Sequence, residues 1–377
     1  MQKIKGGVMQ KLIELQKDEN ILVSSKIEQY LKPDFLYLPV KENVLNVHKN
    51  EEVLIGSNVL PQSISPISGY VRKLVKMDSL VNSEYYLEIE NDFKEKRKKE
   101  TFSRAKLKKE DILKKLNLEN KKNLVLNALD NELYVLTENF YLFLYYEELL
   151  ELLDEISQLF DITIYICLKA SSSENINKLM SALGMYPTII LKVLPDYYLL
   201  AKNKFLLSYL ELKEEETQVV SASLFYGIYN ELKKNKPTTT KLITISGNAI
   251  KPRMIVEVKI GTRLKEVIDE YFEVNENAVF IANGLMSGKE IKLDNFIVTE
   301  ELNSLLVMNS VEEKPEGKCI NCGLCSDICP VKIKPVFLHD PKYLNHVKDK
   351  CINCGLCSYI CPVYIKFNRY LKGEHHE

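Results

Sequence analysis

The sequence predicts a multidomain chain of α+β and α/β class with a small cysteine-rich module toward its C-terminus. Three observations carry this expectation. The C-terminal stretch writes one cysteine run twice, as Cys319-Ile-Asn-Cys322-Gly-Leu-Cys325-Ser-Asp-Ile-Cys329-Pro330 and Cys351-Ile-Asn-Cys354-Gly-Leu-Cys357-Ser-Tyr-Ile-Cys361-Pro362. Residues 120–237 alternate short apolar runs with helical Leu periods, the pattern of a mostly parallel sheet under helices. Residues 1–90 read instead as short strands and turns, the pattern of a small β-barrel or sandwich.

Length and composition set the frame. A chain of 377 residues allows two to four domains, and 46% hydrophobic residues fill ordinary cores. The net charge of −1 gives no overall bias toward nucleic acid. The start, Met1-Gln-Lys-Ile-Lys-Gly-Gly, lacks an apolar signal-peptide core. The most apolar stretch, Phe140 to Leu153, is interrupted by Glu147, Glu148 and Glu151, so no membrane span is expected. Reduced cysteines without an export signal place the chain on the cytoplasmic side.

The first region contains Val44 to Gly56, a strand–turn–strand pattern, and Pro66-Ile-Ser-Gly69-Tyr-Val, a turn feeding a strand. Residues 91–119 are a charged linker or solvated helix, with Lys94-Glu-Lys-Arg-Lys-Lys-Glu100 followed by Arg104, Lys106, Lys108 and Lys109. In the α/β region, Leu124-Val-Leu-Asn-Ala is a strand, Tyr145 to Gln158 a helix, and Ile162 to Leu168 a buried strand that includes Cys167. Ser173 to Leu183 is a helix with a Ser-rich cap, Thr188 to Val193 a strand, and Val219 to Lys233 a helix. No P-loop or G-x-G-x-x-G occurs, and no glycine stands between Gly69 and Gly184. Phosphate cradles need glycine for close backbone approach. Residues 238–295 change pattern again. Strands at Lys241–Gly247 and Arg253–Thr262, a helix at Arg263–Phe272 and a strand at Ala278–Gly284 fit a β-grasp module. Residues 296–377 hold the cysteine repeat.

The cysteine spacing is C-x2-C-x2-C-x3-C-P, the run that holds [4Fe-4S] clusters in two-cluster bacterial ferredoxins. Three thiolates at x2 intervals wrap three corners of one cubane, and the fourth reaches the other cluster. The expected sets are Cys319, Cys322, Cys325 and Cys361 for one cluster, and Cys351, Cys354, Cys357 and Cys329 for the other. A zinc ribbon would use two separated C-x2-C pairs. Disulfides would need an oxidising compartment. Gly323 and Gly355 allow close backbone approach, and Pro330 and Pro362 turn the chain after the fourth ligand.

The order of these pieces resembles the C subunit of Rnf-type electron transport complexes. The motifs that carry the resemblance are Ile4-Lys-Gly6-Gly7, Phe35-Leu-Tyr-Leu-Pro39, Pro66-Ile-Ser-Gly69, Asn127-Ala-Leu-Asp-Asn-Glu132, Thr244-Ile-Ser-Gly247 with Ile260-Gly261-Thr262, and Asn283-Gly284-Leu-Met286-Ser-Gly288. The resemblance implies a Rossmann-like flavin and NADH domain, a soluble-ligand-binding β-grasp domain and the two-cluster domain. It implies an iron–sulfur electron-transfer subunit, peripheral on the cytoplasmic face of the cell membrane, within a complex coupled to ion translocation. The implied partners are the other subunits and a ferredoxin or similar redox protein.

Three pieces depart from the family. The glycine-rich loop that cradles flavin and nicotinamide phosphates is replaced by the lysine- and leucine-rich stretch from Lys106 to Lys121. The Tyr-Pro-x-Gly-Gly segment survives only as Leu194-Pro195-Asp-Tyr197-Tyr198, and Cys-Glu-Pro only as Asn131-Glu132-Leu133. The expectation is that neither FMN nor NADH binds. The alternatives are a soluble NADH- and flavin-linked oxidoreductase of the cobalamin-reductase type, which needs the missing loop, and a non-catalytic scaffold.

Overall fold

The computed structural model describes residues 27–40, 48–60, 63–81, 85–98, 109–130, 132–310 and 315–371. The expected Gly6-Gly7 element, residues 44–47 of the first hairpin and residues 99–108 of the expected linker lie outside them. The molecule is a multidomain α/β structure built on a half-barrel antiparallel sheet, a parallel sheet and a mixed sheet, followed by the cysteine-rich domain.

The half-barrel orders Phe35–Val40, Tyr85–Asn91, Gly69–Lys76 and Glu52–Val53, all antiparallel. Alternate residues point inward, so Leu36, Leu38, Val71, Leu87 and Ile89 form its core. Gly69 packs where a Cβ would sit 1.9 Å from the Glu90 carbonyl oxygen, which explains glycine in the Pro66-Ile-Ser-Gly69 turn.

The parallel sheet orders Ile189–Leu194, Thr163–Lys169, Asn123–Asn127 and Thr217–Ser221. Its two central strands, Asn123–Asn127 and Thr163–Lys169, read as apolar runs because both their faces are covered, whereas the edge strand Ile189–Leu194 leaves Ile190 and Val193 exposed. The helices Thr137–Phe160 and Ala222–Lys234 cover one face, and Leu200, Leu206 and Leu207 cover the other. Cys167 is fully buried in the second core, and burial pushes its thiol up to about 12. It behaves as a small apolar side chain.

Four elements differ from the sequence expectation. Val219 and Val220 belong to a strand, Thr217–Ser221, that pairs with Asn123–Asn127; the helix starts only at Ala222. Two adjacent β-branched residues fit the pleat, and Ser221 stops the strand by capping the helix through Leu224 N at 3.3 Å. A helical segment already starts at Thr137, and the chain kinks at Tyr145 (φ −121°, ψ 24°), where the expected helix begins. Ser172 stands at the expected cap but makes no capping bond; its hydroxyl accepts from the Asn139 side-chain amide. The charged segment holds a packed helix, Lys109–Leu116, which buries Ile112 and Leu116 against the α/β core. That helix lies within the lysine- and leucine-rich stretch from Lys106 to Lys121.

The mixed sheet orders Ile27–Tyr30, Met254–Lys259, Thr240–Ser246, Ser304–Asn309, Ala278–Ala282 and Lys289–Ile291. It therefore recruits a strand from the N-terminal region and one from beyond residue 295, both outside the expected span of 238–295. Ile27–Tyr30 joins in parallel, with Ile27 opposite Ile255. The sheets are tied together by backbone bonds. Tyr37 N donates to the Gly261 carbonyl at 2.8 Å, and a Cβ at Gly261 would meet the Leu36 side chain at 2.7 Å. The Tyr141 hydroxyl accepts from Leu242 N at 3.0 Å, joining the long helix to the mixed sheet. Among the described residues no helix is long and apolar enough to cross a membrane.

The packed helix gives a direct test. Ile112→Ala should cost about 2–5 kcal/mol of stability in the full chain, whereas Lys114→Ala should stay within about 0.5 kcal/mol. Chemical denaturation followed by far-UV circular dichroism checks both; equal, small effects would mean that this segment is solvated along its whole surface.

Candidate metal centre

The two cysteine runs fold alike. Each carries an Asn in the left-handed region, Asn321 and Asn353, then a glycine at the helix N-cap, Gly323 at φ 80° and Gly355 at φ 76°. Five-residue helices follow, Leu324–Ile328 and Leu356–Ile360, and the chain turns extended at Cys329 and Cys361 before each proline. This carries the fourth cysteine of each run away from its first three and toward the other run.

Two cavities result. One is lined by Cys319, Cys322, Cys325 and Cys361, with Val336, Ile365 and Phe367 as apolar walls. The other is lined by Cys329, Cys351, Cys354 and Cys357, with Ile333, Leu338 and Phe367. Four thiols around each apolar space suit the donor set of a [4Fe-4S] cluster. Burial raises the thiols of the second cavity most, Cys354 up to about 11 and Cys357 up to about 12. Such thiols become ligands only by losing their protons to the metal's charge, so loading the site releases protons. The Ser358 hydroxyl and the Asn353 side-chain oxygen are buried without a hydrogen-bond partner, polar capacity left unspent in the second run.

The cavities differ in setting. Cys319 and Cys322 are exposed, and Ile320 and Leu324 beside them are 62% and 42% exposed, which leaves the first cavity open to solvent. Cys354 is buried, and Tyr198, Leu199, Phe205 and Met286 pack around it. The second cavity is the inner one.

The inner run packs against residues from distant parts of the chain. Glu132, Tyr198 and the Met286–Ser287 turn converge, although they are far apart in sequence. The Glu132 carboxylate accepts from the Tyr198 hydroxyl at 3.1 Å, from Met286 N at 3.0 Å, and from Ser287 N at 3.2 Å and the Ser287 hydroxyl. The Tyr198 hydroxyl also donates to the Cys354 carbonyl at 2.8 Å. A Cβ at Gly284 would strike the Glu132 side chain at 2.2 Å.

Two further carboxylates fill helix N-termini around the parallel sheet. Asp130 accepts from Glu138 N at 2.8 Å and Asn139 N at 3.4 Å at the start of the long helix. Glu138 accepts from Ser223 N at 2.8 Å and the Ser223 hydroxyl at 2.7 Å at the start of the next one. Helix starts that follow parallel strands are the positions where such sheets hold phosphate groups. Here the chain's own anions stand in them, and burial pushes both carboxyls up, Asp130 to about 7. Single-sequence reading could not find these roles, because each depends on contacts made only in the fold.

Comparison with known proteins agrees with the cysteine geometry. Residues 313–367 match the 4Fe-4S dicluster domain family. The C subunit of an ion-translocating oxidoreductase complex from Haemophilus influenzae is 25% identical over 189 residues, 47% of this chain and 23% of that protein. The C subunit of a proton-translocating ferredoxin:NAD(+) oxidoreductase complex from Clostridium ljungdahlii is 33% identical over 115 residues, 30% of this chain and 25% of that protein. The chain is a distant homologue of the Rnf complex's C subunit. A third such protein, from Rhodobacter capsulatus, is 26% identical over 45% of this chain and 35% of its own length. The matched part thus spans 23% to 35% of the length of these relatives. Among solved structures, a chain of an NAD+-reducing [NiFe]-hydrogenase superposes with a TM-score of 0.45 at 12% identity, over 69% of this chain and 49% of that one. The dicluster match and the doubled cysteine run support two [4Fe-4S] clusters in this chain.

Anaerobically loaded protein should carry about eight irons and about eight acid-labile sulfides per chain. The difference in exposure predicts the order of their loss. Under a slow iron chelator, electron paramagnetic resonance should lose the signal of the open cavity first, and simultaneous loss would contradict the asymmetry.

Proposed function

We propose that the chain is an iron–sulfur electron-transfer subunit of a membrane-associated Rnf-type complex coupled to ion translocation. The observation that carries this reading is the pair of four-thiol cavities, each drawing three cysteines from one run and one from the other. Cys319, Cys322, Cys325 and Cys361 would hold the outer cluster, and Cys351, Cys354, Cys357 and Cys329 the inner one. When bound, the clusters supply one-electron transfer. The protein's residues wall them with Phe367, Ile333 and Leu338, exclude water from the inner site, and leave the outer site open to a partner.

On this reading the mixed sheet is a soluble-ligand-binding β-grasp unit that has borrowed flanking strands. The parallel sheet is the family's Rossmann-like flavin and NADH unit without its site. The filled helix N-termini at Asp130 and Glu138, and the helix at Lys109–Leu116, support the loss of FMN and NADH binding. They also weigh against a soluble flavin-linked oxidoreductase. The partners are the other subunits of the complex and a ferredoxin or similar redox protein, with the chain peripheral on the cytoplasmic face.

Two experiments test this. Cys361→Ser should damage the outer cluster, held by the run that begins 42 residues earlier at Cys319, and spare the inner one. Damage confined to the cluster of Cys351 would show that each run serves only itself. Protein incubated with FMN and freed of excess should carry no stoichiometric flavin, and NADH should not reduce its clusters; a yellow protein reduced by NADH would restore the full oxidoreductase role.

A further inference from the structure

The inner run is held by a polar contact that the outer run lacks. The Cys354 carbonyl, in the most buried ligand loop, receives the Tyr198 hydroxyl at 2.8 Å. That hydroxyl lies 3.1 Å from Glu132 Oε1. A phenol has one proton, so the Cys354 carbonyl and the Glu132 carboxylate share one donor. Glu132 is fixed from its other side by Met286 N, Ser287 N and the Ser287 hydroxyl. All of these are donors, which favour the carboxylate and oppose the burial that pushes the Glu132 carboxyl up.

The same turn presses on the loop directly. A Cβ at Gly355 would sit 2.0 Å from the Met286 carbonyl oxygen, whereas one at Gly323, its counterpart in the outer run, would meet nothing within 4 Å. The two runs are nearly identical in sequence, so this contact is imposed from outside them. It comes from the loop after the first parallel strand, the loop before Asn203–Tyr209, and the turn of the mixed sheet.

We propose that Tyr198 and Glu132 are positioning residues of the inner cluster site, which lock the Cys354 loop and set its reduction potential apart from that of the outer site. This rests on the cluster reading given above. The physical basis is charge. A hydrogen bond donated to a ligand-loop carbonyl withdraws electron density and favours the reduced, more negative state of the group held there; a buried carboxylate behind it disfavours that state. The two residues therefore act with opposite signs on one site.

Potentiometric titration of the full-length, anaerobically loaded protein, followed by electron paramagnetic resonance, tests this with the outer cluster as internal reference. Tyr198→Phe keeps the ring packing and removes the donor. The inner midpoint should fall, with the outer midpoint and the iron content unchanged. Glu132→Gln keeps the shape and removes the charge, and the inner midpoint should rise. An inner midpoint unmoved in both variants, or displaced together with the outer one in the same direction, overturns the proposal. Wild-type protein loaded in parallel that holds no clusters overturns the cluster reading itself, and the proposal with it.

Discussion

The crossing of the fourth cysteine governs the C-terminal domain. Helices of five residues do not form alone, because nucleation costs more than so few hydrogen bonds return. Leu324–Ile328 and Leu356–Ile360 lie against each other and share Phe367 as a common wall. Neither cavity has four thiols until both runs are in place. Folding, assembly of the two sites and their mutual spacing are thus one event, and binding energy at either site stabilises both.

The sequence symmetry of the runs is broken by their surroundings. Gly323 faces open space and Gly355 faces the Met286 carbonyl. The outer run leaves Cys319, Cys322, Ile320 and Leu324 exposed, while Tyr198, Leu199, Phe205 and Met286 pack against the inner run. The proposed relay would use this division: one site that a partner can approach and one whose environment the protein controls. The rest of the chain supplies the control. Asp130 and Glu138, both buried, fill helix starts beside the parallel sheet, and Glu132, also buried, ties Tyr198 to the Met286–Ser287 turn.

The dicluster domain was legible in the sequence because ligand spacing is itself the chemistry. The strands Asn123–Asn127 and Thr163–Lys169 were legible because doubly covered strands read as unbroken apolar runs. Other elements were hidden for specific reasons. The strand Thr217–Ser221 runs without a break into the helix at Ala222, so its two valines read as the first turn of that helix. Lys109–Leu116 buries only Ile112 and Leu116 among many lysines, so it reads as solvated. Ile27–Tyr30 is too short to declare its partner, 228 residues away at Ile255. Tyr198 and Glu132 gave no signal of their role, since it exists only through contacts spanning 156 and 66 residues.

With the helix N-termini filled, the clusters are left as the chain's only proposed electron carriers. The most direct measurement is an anaerobic reductive titration of the full-length protein, loaded with iron and sulfide, offered FMN and freed of excess. Two clusters without flavin take up about two electrons per chain, with the absorbance change confined to the broad iron–sulfur band. Uptake of about four electrons with bleaching of a flavin band would contradict this, because a bound flavin accepts two more.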